Sequence, residues 1–187
     1  MSKVFIFSAP SGAGKTTIVK SALKKFPQLV FSISATTREK RGVEKDGVDY
    51  FFISEEEFKK KIEQNEFVEW ETFYGYYYGT LKSFINSRIE NGEPVVLEVD
   101  VKGALKIKKE YPDAVAIFIK PPSIEELKRR LRDRKTESDK DLQKRIERAE
   151  MEMGYQKYFD YVIVNDDLER AKKEVYEIIN KELKTED

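Results

Sequence analysis

The chain of 187 residues contains no cysteine and no histidine. Without cysteine it has no disulfides and no thiolate to act as nucleophile or metal ligand. Without histidine it lacks the commonest metal ligand and the side chain used most often as a general base. Any chemistry must therefore rely on carboxylates, lysines, arginines and a borrowed metal ion.

The sequence also lacks an excess of charge of either sign, because 35 Lys and Arg residues balance 35 Asp and Glu residues. No global basic field favours a nucleic-acid partner. No apolar run reaches the roughly 18 residues of a membrane span, and the N-terminus shows no signal-peptide pattern. We expect one soluble, cytoplasmic domain, with no membrane partner and no evident obligate protein partner.

Charged residues are abundant, at 37% of the chain, whereas Asn, Gln and Met are scarce. This composition is typical of heat-adapted proteins that use networks of ion pairs. We therefore hold the hypothesis that the protein is thermally stable.

Short apolar runs alternate with helical patterns along much of the chain, which predicts a parallel sheet covered on both faces. The predicted strands are 4–8, 29–33, 95–99, 115–119 and 161–164. The predicted helices are 16–25, 102–111, 123 to about 132, 142–153 and 169–183.

Two segments interrupt this alternation. Residues 34–80 are polar and aromatic, and a capping box at Ser54 predicts a helix ending near Glu63, between short strands at 50–53 and 67–73. We interpret this segment as a small insert with its own sheet. Residues 129–148 are rich in charge and contain a polar loop, 135–139, between two helices.

A glycine-rich segment, Ser8–Thr17, follows the first predicted strand and ends in Gly-Lys-Thr-Thr. Glycines let successive backbone N–H groups surround an anion, and the following helix adds the positive end of its dipole. Lys15 can contact the outer phosphates, and the Thr16 hydroxyl can bind Mg²⁺. Ala9 occupies the position of the first glycine of the pattern, so the loop there needs an ordinary φ or carries strain.

Arg38, Arg41 and Tyr50 offer the donors that a monophosphate dianion binds, namely forked guanidinium groups and a phenol hydroxyl. The alternative is that these arginines are solvated surface charges.

Glu69 lies among aromatic residues, where a carboxylate is costly unless it is paired. It could accept hydrogen bonds from N1–H and the 2-amino group of guanine, whereas adenine presents an acceptor at N1 and would be rejected. The alternative is a structural glutamate on a strand.

Glu98 and Asp100 end a buried strand and point to one side of it. In phosphate-loop folds, a carboxylate at such a position faces the metal and the phosphates. Asp100 could instead, or in addition, cap the next helix.

These motifs together resemble guanylate kinase, over nearly the whole chain and in the same order. The matching segments are Ser34, Thr36-Thr37-Arg38, Arg41, 46–50, 67–70, 77–79, 98–104 and 162–166. The resemblance implies an α/β fold of the phosphate-loop nucleoside monophosphate kinase type. Such a fold has a five-stranded parallel sheet with flanking helices, a small α+β insert that binds the monophosphate, and a helical lid. It divides the single domain, 1–187, into a core (1–33, 80–125 and 146–187), a GMP-binding insert (34–79) and a lid (126–145).

The implied activity is phosphoryl transfer from ATP to GMP, and to dGMP as well, with Mg²⁺. The resemblance assigns catalytic roles to Lys15, Arg38, Arg130, Arg134 and Arg145. It assigns ATP binding to Ala9, Pro10, Ser11, Gly12, Ala13, Gly14, Lys15, Thr16 and Thr17, with Arg134 and Asn165 near the adenine. It assigns GMP binding to Ser34, Arg38, Arg41, Tyr50, Glu69, Tyr78, Thr80 and Asp100, and Mg²⁺ to Thr16 and Glu98, partly through water.

The chain departs from the family pattern at two places. Arg41-Gly42-Val43-Glu44 replaces the usual Arg-Pro-Gly-Glu, and the lid has Asp133-Arg134-Lys135-Thr136 instead of Gly-Arg-Gly-Thr. Two alternatives remain open at this stage. One is a binding module such as the guanylate-kinase-like domains of scaffold proteins, which typically lack a working phosphate loop. The other is a small-molecule kinase with a different acceptor.

Overall fold

A computed structural model describes residues 3–73, 75–133 and 139–184. Arg134 and residues 135–138 of the predicted polar loop lie outside these ranges. In chain order the elements are β1 (Val4–Ser8), α1 (Lys15–Lys25), β2 (Val30–Phe31), β3 (Ala35–Thr36), β4 (Phe51–Phe52), α2 (Glu55–Glu63), β5 (Phe67–Phe73), β6 (Tyr76–Leu81), α3 (Lys82–Glu90), β7 (Val95–Glu98), α4 (Val101–Glu110), β8 (Val115–Lys120), α5 (Ile124–Asp133), α6 (Asp139–Met153), a 3-10 turn (Gly154–Tyr158), β9 (Tyr161–Val164) and α7 (Leu168–Lys184).

The central sheet has five parallel strands in the order β2-β7-β1-β8-β9. Every residue of β1 is buried, as expected for a strand with neighbours on both edges and helices on both faces. The predicted parallel sheet with flanking helices is therefore confirmed.

The two faces of this sheet are covered by different helices. Phe5 and Phe7 face a core cluster completed by α1 and α7. Val4 and Ile6, which alternate with them, face a second cluster completed by α3 and α4. The alternation of side chains along β1 thus places each helix pair on its own face.

A second, four-stranded sheet has the order β4-β3-β6-β5. Strands β5 and β6 form an antiparallel pair, and β3 joins β6 antiparallel and β4 parallel. Helix α2 packs on this sheet through Phe58, which is buried against Phe67 with 4.2 Å between the ring centroids. Two strands, β3 and β6, were not predicted by the sequence pattern.

Helix α3 was also missed, because its N-cap residue is Leu81 and no side chain caps it, so the usual start signal is absent. Strand β2 is shorter than the predicted 29–33. It lies at the edge of the central sheet, and the chain then leaves for the second sheet, where the Ser34 carbonyl accepts from the Phe51 N–H at 2.9 Å.

The carboxyl ends of β1, β7 and β8 come together because their strands are parallel and in register. Phe7 pairs with Glu98 of β7, and Ser8 pairs with Phe118 of β8. This edge holds the glycine-rich loop and the carboxylate of Glu98. In the part of the chain that the structure describes, no helix is long and apolar enough to cross a membrane.

Candidate active site

The loop between β1 and α1 has the shape of an anion cradle. Gly12 and Gly14 both adopt φ 91°, the left-handed region that favours glycine. Gly14 is the N-cap of α1 and supplies no side-chain cap, so the N–H groups of the first helical turn remain available to a phosphate. Ala9 is not among the positive-φ residues, which resolves the question of strain at that position.

Asn165, just after β9, packs against the back of this loop. Its Nδ2 donates to the Ala13 carbonyl at 2.7 Å, and its side chain is buried. A Cβ added to Gly14 would lie 2.4 Å from that same Nδ2. Glycine at position 14 is therefore required both by its φ and by the asparagine behind it.

Lys15 and Thr16 both contact the carboxyl end of β7. The Lys15 ammonium donates to the Val99 carbonyl at 2.9 Å and lies 3.9 Å from Glu98 Oε1. The Thr16 hydroxyl donates to the same Glu98 oxygen. Burial lowers the pKa of Lys15, and the charge of Glu98 partly opposes this shift.

Thr16 and Glu98 supply hard oxygen atoms of the kind that Mg²⁺ binds. Among the described residues there is no group of three or more carboxylate, histidine or cysteine side chains that could hold a metal alone. A hydroxyl and one carboxylate fit Mg²⁺ that is held mainly by nucleotide phosphates and water, as is usual for this ion.

A second group of donors lies on the small sheet and in the loop between its strands β3 and β4. Arg38 is buried and donates two parallel bonds to Glu44, at 2.8 and 3.0 Å. These hydrogen bonds raise the pKa of Arg38, so the guanidinium is firmly charged. Its Cζ lies 5.4 Å from the centre of the Tyr50 ring, which in turn lies 6.1 Å from the Tyr78 ring.

Arg41 is exposed, and its backbone N–H donates to Glu44 at 2.7 Å. Glu44 thus binds both arginines of the predicted phosphate site, one through the side chain and one through the backbone. This role was missed at the sequence level, although Glu44 stands in the segment that departs from the family pattern.

Glu69 and Thr80 form a hydrogen-bonded pair across β5 and β6. The Thr80 hydroxyl donates to Glu69 Oε1 at 2.6 Å. A β-bulge between Phe67 and Glu69 shifts the register at this point, a device that re-aims side chains. Burial raises the pKa of Glu69, and the bond from Thr80 partly offsets the rise.

Asp100 caps α4 by accepting from the Gly103 N–H at 2.7 Å. The carboxylates of Asp100 and Glu69 border the same small space beside Gly103. A Cβ added to Gly103 would lie 3.2 Å from Asp100 Oδ1 and 3.2 Å from Glu69 Oε2. Glycine at 103 leaves the space in which the two carboxylates converge. The capping role of Asp100 is observed, and its contact with the base remains a prediction.

Comparison with known proteins places the chain in a family. The model of the family described as guanylate kinase matches residues 1–182. The chain is 48% identical over 180 residues to the guanylate kinase of Thermotoga maritima, which covers 96% of this chain and 87% of that protein. It is 51% identical over 186 residues to the guanylate kinase of Bacteroides thetaiotaomicron, covering 98% and 91%. The chain belongs to the guanylate kinase family.

Solved structures agree with this assignment to the guanylate kinase family. The crystal structure of guanylate kinase from Anaplasma phagocytophilum matches with a TM-score of 0.74 and 31% identity, covering 97% of this chain and 86% of that one. Shikimate kinase from Bacteroides thetaiotaomicron matches with a TM-score of 0.52 and 17% identity, over 95% and 98% of the two chains. The latter likeness concerns the fold alone.

The guanylate kinase fold places most of the predicted site residues around one cleft of about 890 Å³. The predicted residues that line it are Ala9, Pro10, Ser11, Gly12, Ala13, Gly14, Lys15, Thr16, Thr17, Ser34, Tyr50, Glu69, Tyr78, Glu98, Asp100 and Arg145. Five other predicted residues do not line it: Arg38, Arg41, Thr80, Arg130 and Asn165. Of these, Thr80 and Asn165 donate through their side chains to lining residues, Glu69 and Ala13 respectively.

Two arginines from the predicted lid contact the phosphate loop or the Asn165 that supports it. Arg145 on α6 donates to the Ser11 hydroxyl at 2.6 Å. Arg130 on α5 donates to the Asn165 carbonyl at 3.0 Å and to Glu126 at 2.8 Å. Hydrogen bonds from Arg129 and Arg130 lower the pKa of Glu126 to about 2. The role predicted for Arg134 falls outside the described residues.

The cleft also has lining residues that the sequence analysis missed, among them Glu71, Arg148 and Glu152. Glu71 pairs with Tyr78 across the strands, two residues beyond Glu69 on the same face. Arg148 and Glu152 are four residues apart on α6, a spacing that predicts an ion pair but not its place in the cleft.

Proposed function

We propose that this protein transfers the γ-phosphoryl group of ATP to GMP, giving ADP and GDP, with Mg²⁺ and with dGMP as a second acceptor. One observation carries the proposal. A single cleft joins the phosphate loop bearing Lys15 to the Glu69–Thr80 pair, with the Arg38–Tyr50–Tyr78 group beside it.

On the donor side, the phosphate loop and the start of α1 bind the ATP phosphates through backbone N–H groups. Lys15 is held by a carbonyl and a carboxylate at the end of β7, so its ammonium is placed at the cleft before any nucleotide arrives. Such preorganised charge is what phosphoryl transfer requires, because the reaction depends mainly on positioning and electrostatic stabilisation.

On the acceptor side, the attacking group is a phosphate oxygen of GMP, which is already largely ionised at neutral pH. No strong general base is needed, so the absence of histidine is no obstacle. Glu44 occupies one edge of the Arg38 guanidinium and orients the remaining N–H donors, and Tyr50 and Tyr78 add hydroxyl groups.

The base is selected by the carboxylate of Glu69. Thr80 donates to Oε1, which fixes the carboxylate and leaves acceptor positions for N1–H and the 2-amino group of guanine. Adenine would place a lone pair against this carboxylate, and an unpaired buried group of this kind is strongly unfavourable.

Thr16 and Glu98 would hold Mg²⁺ together with the phosphates of ATP. When bound, the ion neutralises charge on the phosphoryl group that is transferred. The Thr16 hydroxyl donates to Glu98, and its oxygen lone pairs would be available to the ion.

The test is ADP release, measured by a coupled assay, with ATP and a panel of GMP, dGMP, AMP, CMP and UMP. We expect turnover with GMP and dGMP and little with the others. The Glu69→Gln variant should lose about 10²-fold or more in kcat/KM for GMP, because the amide presents a donor where an acceptor is needed.

The matched control is Glu66→Gln, which removes a carboxylate on the same insert that pairs with Lys61 at 3.0 Å outside the cleft. It should retain GMP turnover. Binding of GMP without ADP release would instead support a binding module, and preferential turnover of AMP would indicate a different acceptor.

A further inference from the structure

Helix α6 carries two arginines, one turn apart, that contact opposite sides of the cleft. Arg145 donates to the Ser11 hydroxyl of the phosphate loop at 2.6 Å. Arg148 donates through Nη2 to Asp100 Oδ2 at 3.1 Å. Residues three apart on a helix share a face, so one rigid element reaches both the donor side and the guanine side.

The orientation of the Arg148 guanidinium is determined by a second carboxylate. Its Nε donates to Glu152 Oε1 at 2.9 Å, four residues along the same helix. Glu152 is buried, with 4% of its surface exposed, and it lines the cleft. Arg148 therefore joins a buried anchor on α6 to a carboxylate at the start of α4.

Asp100 needs such a partner because it lies beside another carboxylate. Its Oδ1 is used by the Gly103 N–H, and the same small space beside Gly103 holds Glu69 Oε2. Negative charges that border the same space repel each other, and a cation in contact with one of them offsets the repulsion. The bond from Arg148 goes to Oδ2, so it also sets the rotation of the Asp100 carboxylate.

We propose that Arg148 is a positioning residue for the guanine base, acting through Asp100 and not by direct contact with the phosphoryl group. It keeps the Asp100 carboxylate in place next to Glu69. Arg145 links the same helix to the phosphate loop. Through Arg148 and Asp100, the position of α6 is therefore coupled to the guanine side of the cleft as well. This inference rests on the proposed function of the site.

The test compares Arg148→Met and Arg148→Lys with the wild-type protein. We expect Arg148→Met to raise the KM for GMP about fivefold at saturating ATP, and to leave the KM for ATP within about twofold. Arg148→Lys should restore part of the loss, because an ammonium keeps the charge but cannot bridge two carboxylates in fixed geometry. Calorimetric titration with GMP alone should show the same order of affinities.

The control is Arg88→Met on α3, which also removes an ion-paired arginine. Arg88 pairs with Glu93 at 2.9 Å and its side chain is 37% exposed, close to the 44% of Arg148. It lies outside the cleft, so we expect no change in either KM.

An unchanged KM for GMP in Arg148→Met would overturn the inference. So would an equal rise in both KM values with a lower melting midpoint, since that is the result of a merely structural role. If the wild-type protein fails to phosphorylate GMP, the proposed function is wrong. The calorimetric series then decides the inference separately, because GMP binding requires no turnover.

Discussion

Lys15 lies between a backbone carbonyl and a carboxylate, both supplied by the end of β7. Burial disfavours its charged form, and Glu98 opposes that effect. The interaction with Glu98 thus offsets part of the desolvation cost of an ammonium ion in the cleft. A triphosphate bound there would be an additional partner for this charge. A side chain with this environment contributes through its charge and not through packing.

Replacing Lys15 with Met should lower kcat by at least about 10²-fold, because the variant loses a preorganised charge beside the transferred group. ADP release with ATP and GMP measures this loss. The melting midpoint should change little, since methionine fills much of the same space. Lys20→Met, an exposed position on the same helix, is the control; wild-type turnover in Lys15→Met would show that the assigned role is wrong.

Glu69 leads to a prediction about pH. In the proposed recognition of guanine its carboxylate accepts two hydrogen bonds and so has to be ionised. Burial raises its pKa above the ordinary value of 4.5. As the pH falls through that raised pKa, the protonated fraction grows and the KM for GMP should rise. The rise in KM should begin at a higher pH than it would if Glu69 were an exposed carboxylate with an ordinary pKa.

The GMP phosphate also titrates, near pH 6, so the measurement needs a reference. Glu69→Gln keeps the phosphate and removes the carboxylate. The ratio of kcat/KM for the wild type and this variant, measured from pH 8 to pH 5, should fall with decreasing pH. A constant ratio would show that Glu69 does not titrate in recognition.

At the scale of elements, the small sheet is stabilised by aromatic packing under β6. Phe58 stacks on Phe67 at 4.2 Å and on Tyr77 at 5.2 Å between ring centroids. Gly79 lies on the same strand, and a Cβ there would be 2.8 Å from Phe67 Cδ1 and 3.0 Å from Phe58 Cζ. The strand can therefore approach these rings only because position 79 has no side chain.

Gly79→Ala should lower the free energy of unfolding by about 1–3 kcal/mol, the usual cost of overpacking. It should also raise the KM for GMP, because Tyr78 and Thr80 flank the substitution. Urea unfolding and GMP kinetics measure the two effects.

Gly154→Ala serves as the comparison, since nothing lies within 4 Å of the added Cβ and its φ is not positive. We expect it to leave stability and kinetics nearly unchanged. Equal stability of the two variants would contradict the close approach at Gly79.

At the scale of the whole molecule, ion pairs connect elements that are distant in sequence. Lys108 of α4 pairs with Asp160 at 2.8 Å, and Lys128 of α5 pairs with Glu150 of α6 at 2.8 Å. Lys82 of α3 pairs with Glu110 of α4 at 3.3 Å. Single exposed pairs contribute little at 25 °C, but the desolvation cost of charged groups falls as temperature rises.

We therefore expect a melting midpoint above the range of about 45–65 °C in which mesophile domains cluster. Differential scanning calorimetry measures it. Raising NaCl from about 0.05 to 0.5 M should lower the midpoint, because salt screens charges near the surface. A midpoint inside the mesophile range would contradict the hypothesis of heat adaptation.

The local signals of the sequence were sufficient to predict the phosphate loop and the buried strands. Gly12 and Gly14 indicate a turn with positive φ, and Lys15 indicates a phosphate contact, from their residue types alone. The apolar runs of β1, β7 and β8 are short and have polar residues or turn signals at their ends. Helix α3 and strand β6 were missed for the opposite reason: α3 begins without a capping side chain, and β6 has aromatic residues on both faces.

Composition and local pattern alone thus established the class of the fold, the phosphate-binding loop and the residue types available for chemistry, because each depends on neighbours in sequence. Folding decided the partners: Glu44 orients Arg38, Asn165 donates to the Ala13 carbonyl of the phosphate loop, and Arg148 of α6 reaches Asp100 at the start of α4. The last two contacts join residues 152 and 48 positions apart. Separations of that kind carry no signal along the chain, since they arise only when helices and strands pack into one three-dimensional arrangement.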